Sequence, residues 1–302
     1  MIKSFPRVSV VIPVRNSEKL IKQCLTSLNQ LNYPKRKLEI IIADGCSTDK
    51  TKQLARSLGA KVVSNKKRIV VAGRNVGFKA ASGDLIAFSD DDCVFDKNWL
   101  KNAIIYFKDK KVGGVSGPNI VPDSDKPFSK AVGLIFDMAF FVGAGAPTKK
   151  MNKVIESRSH GSNAIYKASV LKKVFPIDET VVEGEDVLMT EKIENLGYKL
   201  RYDPDVMVTH FRRSTPARWW NQMMRYAQAK VLLQKRGVKK VTIIQKAFGL
   251  FLPIIFLMST SLLLIPSLTT LLLSLVFISY LALFLYSFAQ SKSIIVSLSF
   301  LE

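Results

Sequence analysis

Apolar runs alternate with segments of helical spacing along the first part of the chain. Arg7–Val14 and Leu38–Ala43 are rich in β-branched residues, which is typical of strands buried on both faces. Two more strands are predicted at Ala60–Ser64 and Asp84–Ser89, and helices are predicted over Glu18–Leu28 and Val71–Ala81. This alternation predicts an α/β fold with an open, mostly parallel sheet and right-handed crossovers.

The pattern between about residues 112 and 205 is more mixed. An apolar stretch at Ala131–Val142 fits either a mobile loop or an amphipathic surface helix. A helix is predicted over Gly184–Leu196, and strands are predicted at Val112–Ser116, His160–Tyr166, Tyr198–Tyr202 and Val206–Thr209.

The C-terminal region contains long runs without any charged residue. Ala247–Ile265 and Leu268–Ala289 are each long enough to span a bilayer as a helix, and Pro253 is tolerated in such a helix. Ser293–Leu301 begins a further apolar run, which fits a third span or a surface helix. We therefore predict a folded domain over residues 1–210, a basic amphipathic interfacial segment over 211–246, and a transmembrane hairpin with the start of a third span over 247–302.

Charge supports a membrane location for this region. The chain has a formal net charge of +21, and residues 206–301 contain eleven Lys or Arg but no Asp or Glu. Such a stretch binds either nucleic acid or an anionic membrane surface, and the adjoining apolar runs favour the membrane. No nucleic-acid-binding motif is present, so we expect no nucleic-acid partner. The basic residues before Ala247 predict a cytoplasmic side for the first domain.

Carboxylates follow two of the predicted strands. Asp44 ends one strand, and Asp90-Asp91-Asp92 directly follows another. Carboxyl ends of parallel strands meet at one edge of a sheet, where ligands bind. Asp90 and Asp92 are two residues apart in an extended segment and point to one side, so they can hold a hard cation such as Mg²⁺ or Mn²⁺. A solvated acidic turn is the alternative, but it leaves the mutual repulsion of the carboxylates without compensation.

Other polar residues allow two interpretations each. Glu185-Asp186 opens a helix, where it fits either a general base or ordinary acid placement in a first helical turn. His210 fits a metal ligand or a polar core residue. Arg74 fits a contact with phosphate or ribose, or a solvated surface residue.

Taken in order, these segments resemble glycosyltransferase family 2. The resemblance covers about residues 8 to 234, and several segments in the same order make it specific. The matching segments are VSVVIPVRN (Val8–Asn16), EIIIADGCSTDKT (Glu39–Thr51), GRNVGFKAASGDLIAFSDDDC (Gly73–Cys93), GSNAIYKASVL (Gly161–Leu171), GEDVLMTEKIENLGYKLRYDPD (Gly184–Asp205), HFRRS (His210–Ser214) and QMMRYAQ (Gln222–Gln228).

The resemblance implies a GT-A fold and inverting, metal-dependent transfer from a nucleotide-sugar, most often a UDP-sugar, with Mn²⁺ or Mg²⁺. It implies that Asp44 recognises the base, usually uracil, and that Arg74 lies near the diphosphate. Asp90 and Asp92 match the two ends of the DxD motif, with Asp92 the better metal ligand. The remaining implied donor-site residues are Pro13, Arg15 and Asn16 beside the base, Asp91 within the acidic cluster, and His210 at the metal or diphosphate.

On the acceptor side, the resemblance implies that Asp186 is the catalytic base, with Glu185 as its neighbour. The implied acceptor-side residues are Gly161, Ser162, Asn163, Gln222, Arg225 and Tyr226. Processive synthases of the family carry Gln-x-x-Arg-Trp, whereas this chain has Tyr226 in the last position. This departure favours single transfer over a processive polysaccharide synthase subunit, which stays an alternative.

Arg218, Trp219 and Trp220 resemble an interfacial anchor, which would hold the site at a membrane with a lipid-linked or glycan acceptor. We therefore predict a multi-pass protein of the cell membrane, with no prediction for its oligomeric state. A non-catalytic, membrane-anchored nucleotide-sugar-binding protein is a second alternative, although the complete acidic set argues against it. A sugar-nucleotide pyrophosphorylase would need a Gly-rich basic loop after the first strand, which PVRNSEKL lacks.

Overall fold

We describe the protein from a computed structural model. The structure describes residues 4–122, 124–137, 155–156, 161–181, 183–211 and 215–236, together with residues 274–279, 281–282 and 285. Its strands are β1 (Val8–Val14), β2 (Leu38–Asp44), β3 (Lys61–Ser64), β4 (Leu85–Ser89), β5 (Cys93–Phe95), β6 (Val112–Ser116), β7 (Asn119–Ile120), β8 (Ile155–Glu156), β9 (Asn163–Lys167), β10 (Lys199–Tyr202) and β11 (Val208–His210).

The helices in the described residues lie mainly between these strands. They are α1 (Ile21–Asn29), α2 (Thr51–Ser57), α3 (Val70–Ala80), α4 (Trp99–Ile104), α5 (Pro127–Asp137), α6 (Ala168–Leu171), α7 (Glu185–Asn195) and α8 (Pro216–Lys235). The apolar stretch that begins at Ala131 is helical as far as Asp137, and its remainder lies outside the described residues.

The first half of the main sheet is parallel, as predicted. Its strands lie in the order β3-β2-β1-β4, with Val14 of β1 opposite Asp44 of β2 and Asp44 opposite Ser64 of β3. Every residue of β1 is buried, because helices cover both faces of this half. The strand order reverses between β1 and β4, and ligands of open α/β sheets bind beside the carboxyl ends at such a point.

The second half of the sheet is mixed, which the strand-helix alternation does not predict. Strand β9 lies between β4 and β6 and is antiparallel to both, while β10 is parallel to β6. Since β9 runs in the opposite direction, its first residue, Asn163, is opposite Ser89 at the carboxyl end of β4. The segment that precedes β9 therefore reaches the same edge as the aspartate cluster.

A second, three-stranded sheet completes this edge. Its order is β5-β11-β7, and β5 begins directly after the aspartate cluster. Strands β5 and β11 are antiparallel, with His210 opposite Cys93. The pairing brings the end of β11 beside Asp92, although more than one hundred residues separate the two strands along the chain.

The predicted membrane spans, Ala247–Ile265 and Leu268–Ala289, lie mostly outside the described residues. Within the part of the chain that the structure describes, no helix is long and apolar enough to cross a bilayer. Helix α8 occupies much of the predicted interfacial segment 211–246.

Candidate active site

Asp44 and the turn that follows β2 form one end of the sheet edge. The Asp44 side chain is buried, and its two carboxylate oxygens accept the Ser47 N–H at 3.3 and 3.1 Å. A cavity of about 320 Å³ opens beside it. The cavity is lined by Asp44, Cys46, Ser47, Lys52, Arg56 and Val62–Ser64. Its position beside the carboxyl ends of β2 and β3 suits a ligand that offers an N–H group to a carboxylate.

The loop after β1 is fixed to the turn after β2. The Asn16 N–H donates to Ser47 Oγ at 2.9 Å, and Asn16 Oδ1 accepts the Thr48 N–H at 2.9 Å. Asn16 has a φ of 53°, a left-handed conformation that asparagine tolerates well. Pro13 is buried at the end of β1, whereas Arg15 is exposed. Of these predicted base-contacting residues, Arg15 and Asn16 are exposed, and the Asn16 side chain already accepts the Thr48 N–H.

The aspartate cluster meets His210 at the middle of the edge. Asp92 Oδ1 lies 2.9 Å from His210 Nε2, and both side chains stay partly exposed. The Cys93 thiol is buried behind them, and ligand atoms of Asp92, Cys93 and His210 all lie within 4.8 Å of one another. A carboxylate and an imidazole that converge at a partly open position suit a divalent cation. Cys93 is not among the predicted site residues, and the signal for it in the sequence is its place directly after Asp92.

Asp91 differs from its two neighbours. Burial is the largest cause that raises the pKa of the Asp91 carboxyl. Together with the lowering by the Ser17 hydroxyl and the raising by the charges of Asp92 and Asp90, it brings that pKa to about 6. Ser17 belongs to the loop after β1, so Asp91 lies near that loop.

Glu185 and Asp186 begin helix α7 on the opposite side of the cluster. Gly184 precedes them with a φ of 80°, which favours glycine. Asp186 Oδ1 accepts the Val187 N–H at 2.9 Å, and Asp186 Oδ2 accepts the Gly161 N–H at 3.1 Å. These bonds orient the Asp186 carboxylate at the edge of the sheet, which suits a general base.

Glu185 and Arg74 form a buried ion pair behind Asp186. Arg74 Nη1 donates to Glu185 Oε1, and Arg74 Nη2 donates to the Gly161 carbonyl at 3.0 Å. Burial raises the pKa of the Glu185 carboxyl above its usual value, although the neighbouring Arg74 charge acts to lower it. Because its carboxyl group faces Arg74, Glu185 is placed to hold the arginine, whereas the Asp186 carboxylate stays half-buried.

Ser162 and Asn163 lie deeper than the acceptor-side prediction implies. Asn163 is fully buried, its Oδ1 accepts from Trp99 Nε1 at 2.8 Å, and its Nδ2 donates to the Pro118 and Val206 carbonyls. Ser162 Oγ accepts from Asn119 Nδ2 at 2.6 Å. Both side chains therefore hold neighbouring segments of the chain together, and their burial does not favour direct contact with an acceptor.

Helix α8 packs beside the start of α7. Arg225 Nε donates to Glu183 Oε1 at 2.8 Å, and Gln222 Nε2 donates to the Tyr226 hydroxyl at 3.0 Å. Leu233 is buried on this face, so close to Gly184 that a Cβ there would lie 2.9 Å from Leu233 Cδ1. The structure thus brings Arg225 beside the segment that precedes α7, whereas the printed contact of Gln222 and Tyr226 is with each other.

Comparison with known proteins identifies the family. Residues 9–175, more than half of the chain, match the sequence profile described as Glycosyl transferase family 2. The chain belongs to this family. Glycosyltransferase AglE of Haloferax volcanii is 27% identical over 233 residues, which cover 74% of this chain and 72% of AglE.

Two further proteins resemble this family 2 chain. One is a dolichyl N-acetyl-α-D-glucosaminyl phosphate 3-β-D-2,3-diacetamido-2,3-dideoxy-β-D-glucuronosyltransferase of Methanococcus voltae, 27% identical over 76% of this chain and 74% of its own length. The other is the structure of mannosyltransferase PcManGT from Pyrobaculum calidifontis in complex with GDP-Man and Mn²⁺. That structure matches with a TM-score of 0.60 and 23% identity, over 80% of this chain and 66% of that one. The α/β GT-A fold with a mostly parallel sheet is thereby confirmed, and the chain is a glycosyltransferase.

In this glycosyltransferase, we expect His210→Ala to lower the affinity for Mn²⁺ while the protein stays folded. The imidazole contacts the Asp92 carboxylate, and removing such a partner commonly weakens metal binding by about 10- to 100-fold. A Mn²⁺ titration of transferase activity measures the shift in half-maximal concentration. Thr209→Ser, on the same strand, is the control and should leave the titration unchanged. An unchanged midpoint in the His210 variant would contradict a role at the metal.

Proposed function

We propose that the chain transfers a sugar with inversion from a nucleotide diphosphate sugar, a UDP-sugar, to a lipid-linked acceptor at a membrane. The observation that carries this proposal is the convergence of three groups on one sheet edge. Asp44 lies beside a cavity, and Asp92 and His210 converge at a position that suits a divalent cation. The Asp186 carboxylate is oriented by two N–H donors. A nucleotide, a metal-bound diphosphate and an acceptor hydroxyl need these three groups in this order.

The donor half of the site comprises β1 to β4 and their loops. The N3–H of uracil is a donor that a carboxylate such as Asp44 accepts, and Arg15 is exposed beside it. The residues that would hold Mn²⁺ or Mg²⁺ are Asp90, Asp92 and His210, because their oxygen and nitrogen atoms suit these ions as ligands. When bound, the ion supplies a Lewis acid that offsets negative charge on the departing diphosphate. A neighbouring structure holds GDP-Man, so guanine is the alternative base.

Asp186 performs the proton transfer in this proposal. The acceptor hydroxyl gives its proton to the Asp186 carboxylate. At the same time the oxygen of that hydroxyl forms a bond to the anomeric carbon of the donor sugar. The bond from that carbon to the diphosphate oxygen breaks on the opposite face, and the nucleoside diphosphate leaves with the electron pair. One in-line displacement of this kind inverts the anomeric centre. Glu185 takes no part in proton transfer because Arg74 occupies its carboxyl group.

The acceptor proposal depends on the C-terminal region. Residues 206–301 contain eleven basic residues and no acid, and two uncharged runs follow α8. The face of α8 opposite its buried face exposes Trp220, Met224 and Val231. We propose a catalytic domain over 1–210, an interfacial segment over 211–246 and membrane spans over 247–302. The protein is then a multi-pass protein of the cell membrane with its active site facing the cytoplasm. The lipid-linked acceptor is supported by the name of the Methanococcus voltae relative, which includes a dolichyl phosphate.

A donor screen tests the proposal directly. Purified full-length protein in detergent is incubated with UDP-, GDP- and dTDP-sugars, with Mn²⁺ or Mg²⁺, and with either a polyprenyl-phosphate lipid extract or water-soluble sugars. We expect product in the organic phase with one UDP-sugar, and loss of product with EDTA. Transfer to the water-soluble acceptors alone would contradict the lipid acceptor. A product with many added sugars would instead indicate a processive synthase.

A further inference from the structure

Arg74 is the cation at the centre of the acidic groups of the site. It lies in α3 and retains only 3% of its side-chain surface. Its guanidinium donates to Glu185 Oε1 and to the Gly161 carbonyl, and it lies 3.7 Å from Asp90 Oδ1. The Phe88 ring covers it, with the guanidinium carbon 5.8 Å from the ring centroid. A planar fork with several donors can meet these groups together, which a single ammonium cannot.

The Gly161 peptide unit and its neighbour extend this network to Asp186. The Gly161 carbonyl accepts from Arg74 Nη2 at 3.0 Å, and the Gly161 N–H donates to Asp186 Oδ2 at 3.1 Å. Both backbone polar groups of one residue are therefore engaged, one by the arginine and one by the carboxylate. A side chain at this position would interfere, since a Cβ would lie 2.8 Å from Arg74 Nη2. The direction of the Asp186 carboxylate thus depends on the position of Arg74.

Asp90 and Arg74 differ in the exposed fraction of their side chains, and this difference indicates which of them a ligand can contact. Asp90 keeps 34% of its side-chain surface, whereas Arg74 keeps 3%. The accessible surface of this pair therefore belongs mainly to Asp90, and the guanidinium is almost fully covered. The resemblance implied that Arg74 lies near the diphosphate, but the hydrogen bonds of its two terminal nitrogens go to protein groups.

We propose that Arg74 is a positioning residue that holds the catalytic base. Through Gly161 it sets the direction of the Asp186 carboxylate, and through Glu185 and Asp90 it sets the distance between the base and the metal-binding aspartates. It does not bind the donor. This inference rests on the proposed function of Asp186, and it gives Glu185 a role as the partner that holds the Arg74 guanidinium in place.

The test is Arg74→Lys in the full-length enzyme, with the donor and acceptor found by the donor screen. The lysine keeps the charge but cannot reach Glu185 and Gly161 together. We expect kcat to fall by about 100-fold, because a small displacement of a reacting group has an effect of that order. The donor KM and the Kd for the nucleoside diphosphate should stay within about threefold of wild type, since ground-state binding is intact. Arg201→Lys, a half-buried arginine in β10 outside the site, is the matched control and should change neither parameter.

Gly161→Ala provides an independent variant, because it leaves Arg74 chemically intact and displaces it by contact. We expect the same fall in kcat at constant donor affinity, and the double variant should lose little more than either single one. Thermal unfolding and the stoichiometry of nucleotide binding show whether each variant is folded.

Three results would overturn the proposal. A donor KM or nucleotide Kd that rises at least tenfold with kcat retained indicates that Arg74 contacts the donor. An unchanged kcat in Arg74→Lys indicates no positioning role. A fall in activity that matches a fall in folded, nucleotide-binding protein indicates a role in stability alone. Failure of the proposed function is recognised separately, because the wild-type enzyme would then transfer no sugar or Asp186→Asn would be fully active.

Discussion

Asp186→Asn is expected to reduce kcat by about 1,000-fold, within the range that a general base contributes. The amide cannot take the acceptor proton, whereas its size is retained and its one carbonyl oxygen can still accept one of the two N–H groups, that of Gly161 or that of Val187. Donor binding should therefore be unchanged, since Asp44 and the aspartate cluster are not altered. Initial rates of transfer measure kcat, and calorimetry with the nucleoside diphosphate and Mn²⁺ measures binding.

The matched control for this experiment is Glu194→Gln, at the other end of α7. It removes a carboxylate from the same helix but lies away from the sheet edge, so it should transfer sugar at the wild-type rate. Full activity of Asp186→Asn would show that another group takes the proton. Glu185→Gln then becomes the next variant to measure, because Glu185 is the neighbouring carboxyl group.

Asp92→Ala is expected to abolish metal-supported transfer, with a loss of about 1,000-fold or more, since a bound cation contributes several kcal/mol of transition-state stabilisation. The substitution removes the carboxylate that converges with His210 Nε2. In contrast to Asp186→Asn, it should also weaken Mn²⁺ binding and the metal-dependent part of nucleotide binding. Electron paramagnetic resonance of free Mn²⁺ in titrations with and without nucleotide measures both.

Asp109→Asn controls for the loss of one negative charge. Asp109 is exposed and lies in the turn before β6, away from the aspartate cluster. Its Mn²⁺ titration and activity should match those of the wild type. If Asp92→Ala kept its Mn²⁺ affinity, the cation site would have to be assigned to other residues.

The sequence predicted the parallel half of the sheet well. Strands β1, β2 and β4 are apolar and separated by helices, so their shared direction follows from right-handed crossovers. Once that direction is known, Asp44 and the aspartate cluster must share an edge. The structure bears this out through the register of β1 with β2 and with β4.

The other half could not be predicted in the same way. The insertion of β9 between β4 and β6 depends on strand pairs separated by long stretches of chain, and its apolar pattern does not specify its direction. The Arg74–Glu185 pair joins residues 111 positions apart, so no local spacing signals it. Asn163 looked like a ligand because it is polar and lies in a matching motif. Its hydrogen bonds to Trp99, Pro118 and Val206 arise only from tertiary packing.

The reversed direction of β9 has a consequence for how this edge of the sheet can be altered. Substitutions at Gly161 and Ser162, which directly precede β9, act beside the carboxyl end of β4, because Asn163 is opposite Ser89 there. They leave the register of β1 to β4 unaltered, because those strands precede these two residues and pair among themselves. Variants at these two positions should therefore change one edge of the sheet without disturbing the pairing of its parallel half.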